Sequence, residues 1–87
     1  MDESAKVKFL GSLGRLESGE KISEEMVKAP SRLGDILQLL SKKYDLELNR
    51  DSMLVLVNGV EANALEDLET VVKNNDTVIL VPMFHGG

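Results

Sequence analysis

The spacing of hydrophobic positions changes several times along the chain, and each change marks an element. Val7 and Phe9 alternate with Lys6 and Lys8 before Gly11, which predicts a half-buried first strand over about residues 6–12. Gly11, Gly14, Ser18 and Gly19 read as a loop. Between Lys21 and Lys28, Ile22 and Val27 stand in a polar, Glu-rich stretch that predicts an edge strand guarded by charge. Ala29-Pro30-Ser31 ends that strand, with Ser31 expected to cap a helix and Asp35 placed in its first turn, where the helix dipole favours an anion. Leu33, Ile36, Leu37, Leu40 and Tyr44 then fall on one helical face, with Asp35, Gln38, Lys42 and Lys43 on the other.

Past the polar turn Asn49-Arg50-Asp51-Ser52, the run Met53 to Val57 predicts a strand that stops at Asn58-Gly59, a hairpin signal, and returns briefly through Val60-Glu61-Ala62. Leu65 to Val72 reads as a short helical turn or irregular connection, Asn74-Asn75-Asp76 as a turn, and Thr77 to Met83 as the last strand. A chain with one long helix after its first hairpin buries the helical stripe against one face of a single sheet. The expected fold is α+β, a β-grasp with a mixed sheet of four to five strands and the main helix packed on one face.

Composition narrows the chemistry. At 87 residues there is room for one small domain and none for an interdomain cleft. Cysteine is absent, which excludes disulfides, thiolate nucleophiles, iron–sulfur clusters and cysteine-bound zinc, and the single histidine cannot hold a metal alone. Ten basic against fifteen acidic residues leave a net charge of -5, which opposes phosphate neutralisation, so no direct nucleic-acid partner is expected. The longest apolar run, Thr77 to Phe84, is strand length, and the polar start Met1 to Lys6 lacks the pattern of a signal peptide. A cytoplasmic protein, free of membrane partners and monomeric when free, is expected. Glu24-Glu25 and Glu66-Asp67 read as solvated faces and not as catalytic pairs. Gly11 and Gly14 make no phosphate loop. Met26, Met53 and Met83 read as packing residues, although Met83 lies near the tail.

The sequence ends Phe84-His85-Gly86-Gly87 directly after the last predicted strand. Two terminal glycines arise by chance in about one chain in 200, so the pair alone says little. Together with the preceding order of elements it resembles the ubiquitin-like sulfur carriers and modifiers. Val7-Lys8-Phe9-Leu10, the helix start Leu33-Gly34-Asp35-Ile36-Leu37, Val57-Asn58-Gly59, and Asp76 leading into Val78-Ile79-Leu80-Val81-Pro82 are similar to the small subunit of molybdopterin synthase. His85-Gly86-Gly87 looks more like the ubiquitin-related modifier and the small archaeal modifier proteins, and Met83-Phe84-His85 departs from the smaller residues common in the molybdopterin-synthase subunits.

The resemblance implies a division into an acidic lead-in over residues 1–5, a β-grasp domain over 6–83 and a flexible tail over 84–87. It implies a carrier, not an enzyme. The carboxylate of Gly87 would be adenylated by an activating enzyme that uses ATP, converted to a thiocarboxylate with sulfur from a donor, and spent on sulfur transfer such as tRNA thiolation or on conjugation to target lysines through an isopeptide bond. The alternative is the small subunit of molybdopterin synthase, donating sulfur to a sulfur-transfer enzyme. No bound cofactor is expected. Glycine suits the tail physically, because Gly86 and Gly87 carry no Cβ to obstruct a narrow channel or shield the carbonyl from attack. Five residues from Pro82 to Gly87 extend about 17 Å, enough to enter a partner's pocket.

Aligning Asn58-Gly59 and Gly86-Gly87 with the ubiquitin-like pattern further implies that Val78 and Leu80 point inward. Ile79, Val81 and Met83 then point outward beside Leu54 and Leu56, an apolar patch expected, with Phe84 and His85, to contact the activating enzyme. Any acidic rim would favour basic partner surfaces.

Overall fold

The computed structural model describes residues 3–83. Its frame is a five-stranded mixed sheet in the order β2-β1-β7-β4-β5, formed by β1 (Ser4–Phe9), β2 (Glu24–Lys28), β4 (Met53–Val57), β5 (Val60–Glu61) and β7 (Thr77–Pro82). β1 and β7 run parallel at the centre, and the other pairings are antiparallel. A single α-helix, α1 (Leu33–Tyr44), covers one face. This is the expected α+β β-grasp.

The helical stripe behaves as its spacing requires. Leu33, Ile36, Leu37 and Leu40 are buried against Val7, Phe9, Met53, Val55, Val78 and Leu80, while Tyr44 packs at the margin. In both central strands the burial alternates, through Phe9 in β1 and Leu80 in β7, so one set is enclosed and the other left on the open face; in β1 the open set is Ser4, Lys6 and Lys8, whereas in β7 it includes Ile79 and Val81. At the C-terminus of α1, Asp45 takes a left-handed φ of 53° and its N–H returns to Ser41 O.

Several boundaries move. β1 starts at Ser4, with Ser4 opposite Lys28 and Ala5 opposite Val27, so two residues expected in the acidic lead-in belong to the sheet and Ala5 is fully buried. β1 ends at Phe9 because Gly11 opens a 3-10 turn. Ser31 does not cap the helix. It pairs with Val72 in a second, two-stranded sheet of β3 (Ser31–Arg32) and β6 (Val71–Val72), and its hydroxyl donates back to Lys28 O at 2.8 Å. The N-terminal residue flanking α1 is Arg32, which supplies no side-chain cap; Leu33 N–H instead donates to Thr70 O at 2.8 Å.

The segment 65–72, read as a short helical turn or irregular connection, holds the 3-10 turn Asp67–Glu69 and then β6, while a further 3-10 turn, Ala62–Ala64, precedes it and ends the return strand at Glu61. Arg50 holds it in place. Its guanidinium donates to Asp67 Oδ1 at 2.7 Å, to Asn63 Oδ1 at 2.8 Å and to Met53 O at 2.9 Å, tying the segment to the start of β4. Leu46 and Leu48, which the helical stripe did not anticipate, pack against the core after α1.

Candidate functional site

The site is built on the last strand. β7 lies between β1 and β4, and its register against β4 sets Leu54 opposite Val81 and Leu56 opposite Ile79. Ile79, Val81, Leu54 and Leu56 are half-buried on the face that α1 does not cover, while Val78 and Leu80 are fully enclosed on the other. The implied division of faces therefore matches the structure. Met83 stands at the end of the same strip, 41% exposed.

The pairing continues to the end of the strand. Leu10 N–H donates to Leu80 O at 2.9 Å on one side, and Met83 N–H donates to Ser52 O at 3.0 Å on the other. Pro82 has no N–H, but in this ladder its nitrogen faces β1, so the bond from Met83 to β4 forms without it. Phe84, His85, Gly86 and Gly87, the remaining expected site residues, lie outside the described residues.

The flanks of the patch carry opposite charges. On β1, Lys8 lies beside Ile79 and Lys6 beside Thr77, so that flank is basic; Glu61 of β5 lies opposite Leu56 and makes the other flank acidic. The rim is thus mixed and not uniformly acidic. Met26 is not a packing residue. It sits opposite Lys6 on the outer face of β2, 54% exposed, whereas Met53 is fully buried. Lys6, Lys8 and Met26 were visible in the alternation of their own strands, but only the strand order brings them alongside β7.

The perturbed titratable groups stand elsewhere. Asp76, at the opposite end of β7 from Met83, is held below the ordinary aspartate range by the hydrogen bond from Asn58 Nδ2 at 2.9 Å, then by the N–H of Lys73 at 2.8 Å and the charge of Lys73. Lys43 and Tyr44 are both raised, chiefly by hydrogen bonding to the Glu25 carboxylate; Lys43 Nζ lies 3.2 Å from Glu25 Oε2. Among the described residues no group of His, Asp and Glu is placed to hold a metal, and no helix is long and apolar enough to cross a membrane.

The described residues thus bring together an apolar strip and a strand hydrogen-bonded on both sides to its end. The ThiS family profile matches residues 7–87, which includes the strip, the strand and the final two glycines. The chain belongs to the ThiS family. Its kind is the small ubiquitin-like sulfur carrier or modifier. None of the curated proteins matches by sequence. Among solved structures, the small archaeal modifier protein 1 from Methanosarcina acetivorans is 25% identical with a TM-score of 0.77, covering 100% of this chain and 99% of that one. Urm1 from Trypanosoma brucei is 22% identical at TM-score 0.70, covering 99% and 97%. A molybdopterin converting factor subunit 1 from Pyrococcus furiosus is 21% identical at TM-score 0.67, covering 94% and 99%, and shares the fold.

Proposed function

We propose that this ThiS-family chain carries sulfur on its C-terminus and modifies proteins through the same group. The observation that carries the reading is the family match through Gly87, five residues along the sequence from the end of a strand paired on both sides. An activating enzyme joins the Gly87 carboxylate to the α-phosphate of ATP, releasing pyrophosphate. A sulfur nucleophile from a donor then displaces AMP to leave a thiocarboxylate. That group is the source of sulfur for an acceptor such as tRNA, or the acyl carbon is taken by a target lysine as an isopeptide. The cofactor of the reaction, ATP, belongs to the enzyme and not to this chain.

The open face serves the first step. Ile79, Val81, Leu54 and Leu56 give a partner an apolar footing, and the Lys6 and Lys8 flank against Glu61 gives that footing a direction. Four residues beyond Met83 reach at most about 14 Å, so docking on this face delivers Gly87 to a site just past the strand end.

Intact-mass spectrometry after incubation with ATP, an activating enzyme and a sulfur donor tests the reading. The expected product has one terminal oxygen replaced by sulfur, or adducts on lysine. Deleting Gly87, or the change Gly86→Val, should abolish both while leaving the thermal midpoint within a few degrees. Absence of a sulfur-bearing terminus and of conjugates from the intact chain would overturn the proposal.

A further inference from the structure

β2 is an edge strand, and its hydrogen-bonding phase fixes which of its backbone groups are free. Phe9 N–H donates to Ser23 O at 2.9 Å, and Ala29 N–H donates to Glu3 O at 3.1 Å. In an antiparallel ladder such pairs recur every second residue, so Val27 and Glu25 also turn their backbone groups toward β1. Glu24, Met26 and Lys28 therefore point theirs away from the sheet. The Ser31 hydroxyl, which reaches Lys28 O from outside, agrees with this phase.

These outward residues read Glu, Met, Lys, with exposed side chains on the open-face side of the strand. Turned end for end, the same triplet opposes itself with Glu24 against Lys28, Met26 against Met26 and Lys28 against Glu24. Every outward N–H and C=O then meets its complement, the Lys28 carbonyl using its second lone pair beside the Ser31 hydroxyl, and each carboxylate faces an ammonium. Sliding by one step toward the N-terminus sets Glu25 against its own copy, a like-charge clash; sliding the other way brings in Pro30, which has no N–H. One register is selected by charge and by donors together.

We propose that the β2 edge pairs antiparallel with β2 of a second copy of this chain, about a two-fold axis at Met26. Such an isologous contact joins two five-stranded sheets into one of ten strands. The two β7 strands would lie five strand spacings apart, about 24 Å, and run in opposite directions. Ile79, Val81, Leu54 and Leu56 stay uncovered, so the pairing goes beyond the carrier reading and is compatible with it. An interface of one strand edge is small, and the association is correspondingly weak and reversible.

Sedimentation velocity over a concentration series tests this, with a rise in average mass from 9.6 kDa toward twice that value expected for the full chain. The variants E24K and K28E each place like charges opposite one another twice, and each should weaken association by at least about 5-fold. Mixed in equal amounts, the two variants regain complementarity and should associate at least as tightly as the original chain. M26P removes only an outward N–H, so it should abolish association and leave the circular dichroism spectrum unchanged. An original chain that stays at monomer mass throughout would overturn the proposal. So would self-association that none of these changes weakens, or a mixture no tighter than its components.

Discussion

Along β7 and β4 the two faces of the sheet are made from nearly the same kinds of residue and lie in different surroundings. Along β7, Val78 and Leu80 point toward α1 and are wholly enclosed, whereas Ile79 and Val81 point the other way and are half-buried. The neighbouring β4 repeats the contrast, with Met53, Val55 and Val57 inside and Leu54 and Leu56 outside. Side-chain chemistry does not distinguish the two sets. What distinguishes them is the single helix, which can cover only one face. A strand apolar on both sides beside one covering layer leaves an apolar set uncovered, and this is the set proposed above as the docking surface.

The largest effect should come from breaking the covered face. Leu80→Ala or Leu40→Ala removes a fully buried side chain from the contact between α1 and the sheet and should cost about 2–5 kcal/mol in denaturant unfolding. The matched change Val81→Ala, one residue along the same strand, should cost less than about 1.5 kcal/mol, because its side chain is already half in water. Equal losses at Leu80 and Val81 would erase the distinction.

Gly14 extends the covered side into the backbone. A Cβ built there would lie 1.9 Å from Ile22 O and 3.1 Å from Phe9 Cβ, and the carbonyl is fixed because Ile22 N–H donates to Gly14 O at 2.7 Å. Gly14→Ala should cost about 1–3 kcal/mol by forcing the loop off the sheet, readable as a lower thermal midpoint. Gly19→Ala would meet no neighbour, so any cost there comes from the backbone strain of its φ of 93° and not from a collision with the covered side.

On the open face the expected outcomes reverse, with little change in stability and a large change in activation. Val81→Glu should leave the unfolding free energy within about 1 kcal/mol and reduce adenylate formation by the activating enzyme. It is a cleaner probe than Leu56→Glu, which would set a second carboxylate opposite Glu61 and add cross-strand repulsion. Full activation of a well-folded Val81→Glu protein would remove the strip from the docking surface.

Much of this was legible in the sequence because the strongest signals are periodic. The spacing of Leu33, Ile36, Leu37, Leu40 and Tyr44 gave the helix, and Met53 to Val57 before Asn58-Gly59 gave the hairpin with both strand ends in place. The second sheet was not legible. Each of its strands is two residues long, too short to show alternation, and Ser31 carries the same cap signal whether or not it forms a cap. The rim was missed for a different reason: Lys6, Lys8 and Met26 reach the patch only through pairings between distant segments. The terminal glycines were recognised by resemblance, and their chemistry rests on the family.

The smallest effect concerns what keeps the faces from exchanging. A slip of one residue in β7 would turn Val78 and Leu80 outward and Ile79 and Val81 inward. The strand is pinned where it begins. Asn58, at φ 52° in the hairpin turn, donates from Nδ2 to Asp76 and accepts the Thr77 N–H on Oδ1 at 2.9 Å, while its own N–H donates to Thr77 O at 2.8 Å. Lys6 N–H donates to Asp76 O at 3.0 Å, so the same turn also sets the register of β1. Because these bonds lower the Asp76 pKa on folding, its contribution is fully present above the unfolded value of about 3.9 and is lost as pH falls through the lower folded value. The stability difference between the original chain and Asp76→Asn should therefore be greatest near neutrality and narrow as the solution is acidified below about pH 4. Paired denaturant melts across that range measure it, and a gap that is flat or widens in acid would show that the Asp76 charge takes no part in holding the register.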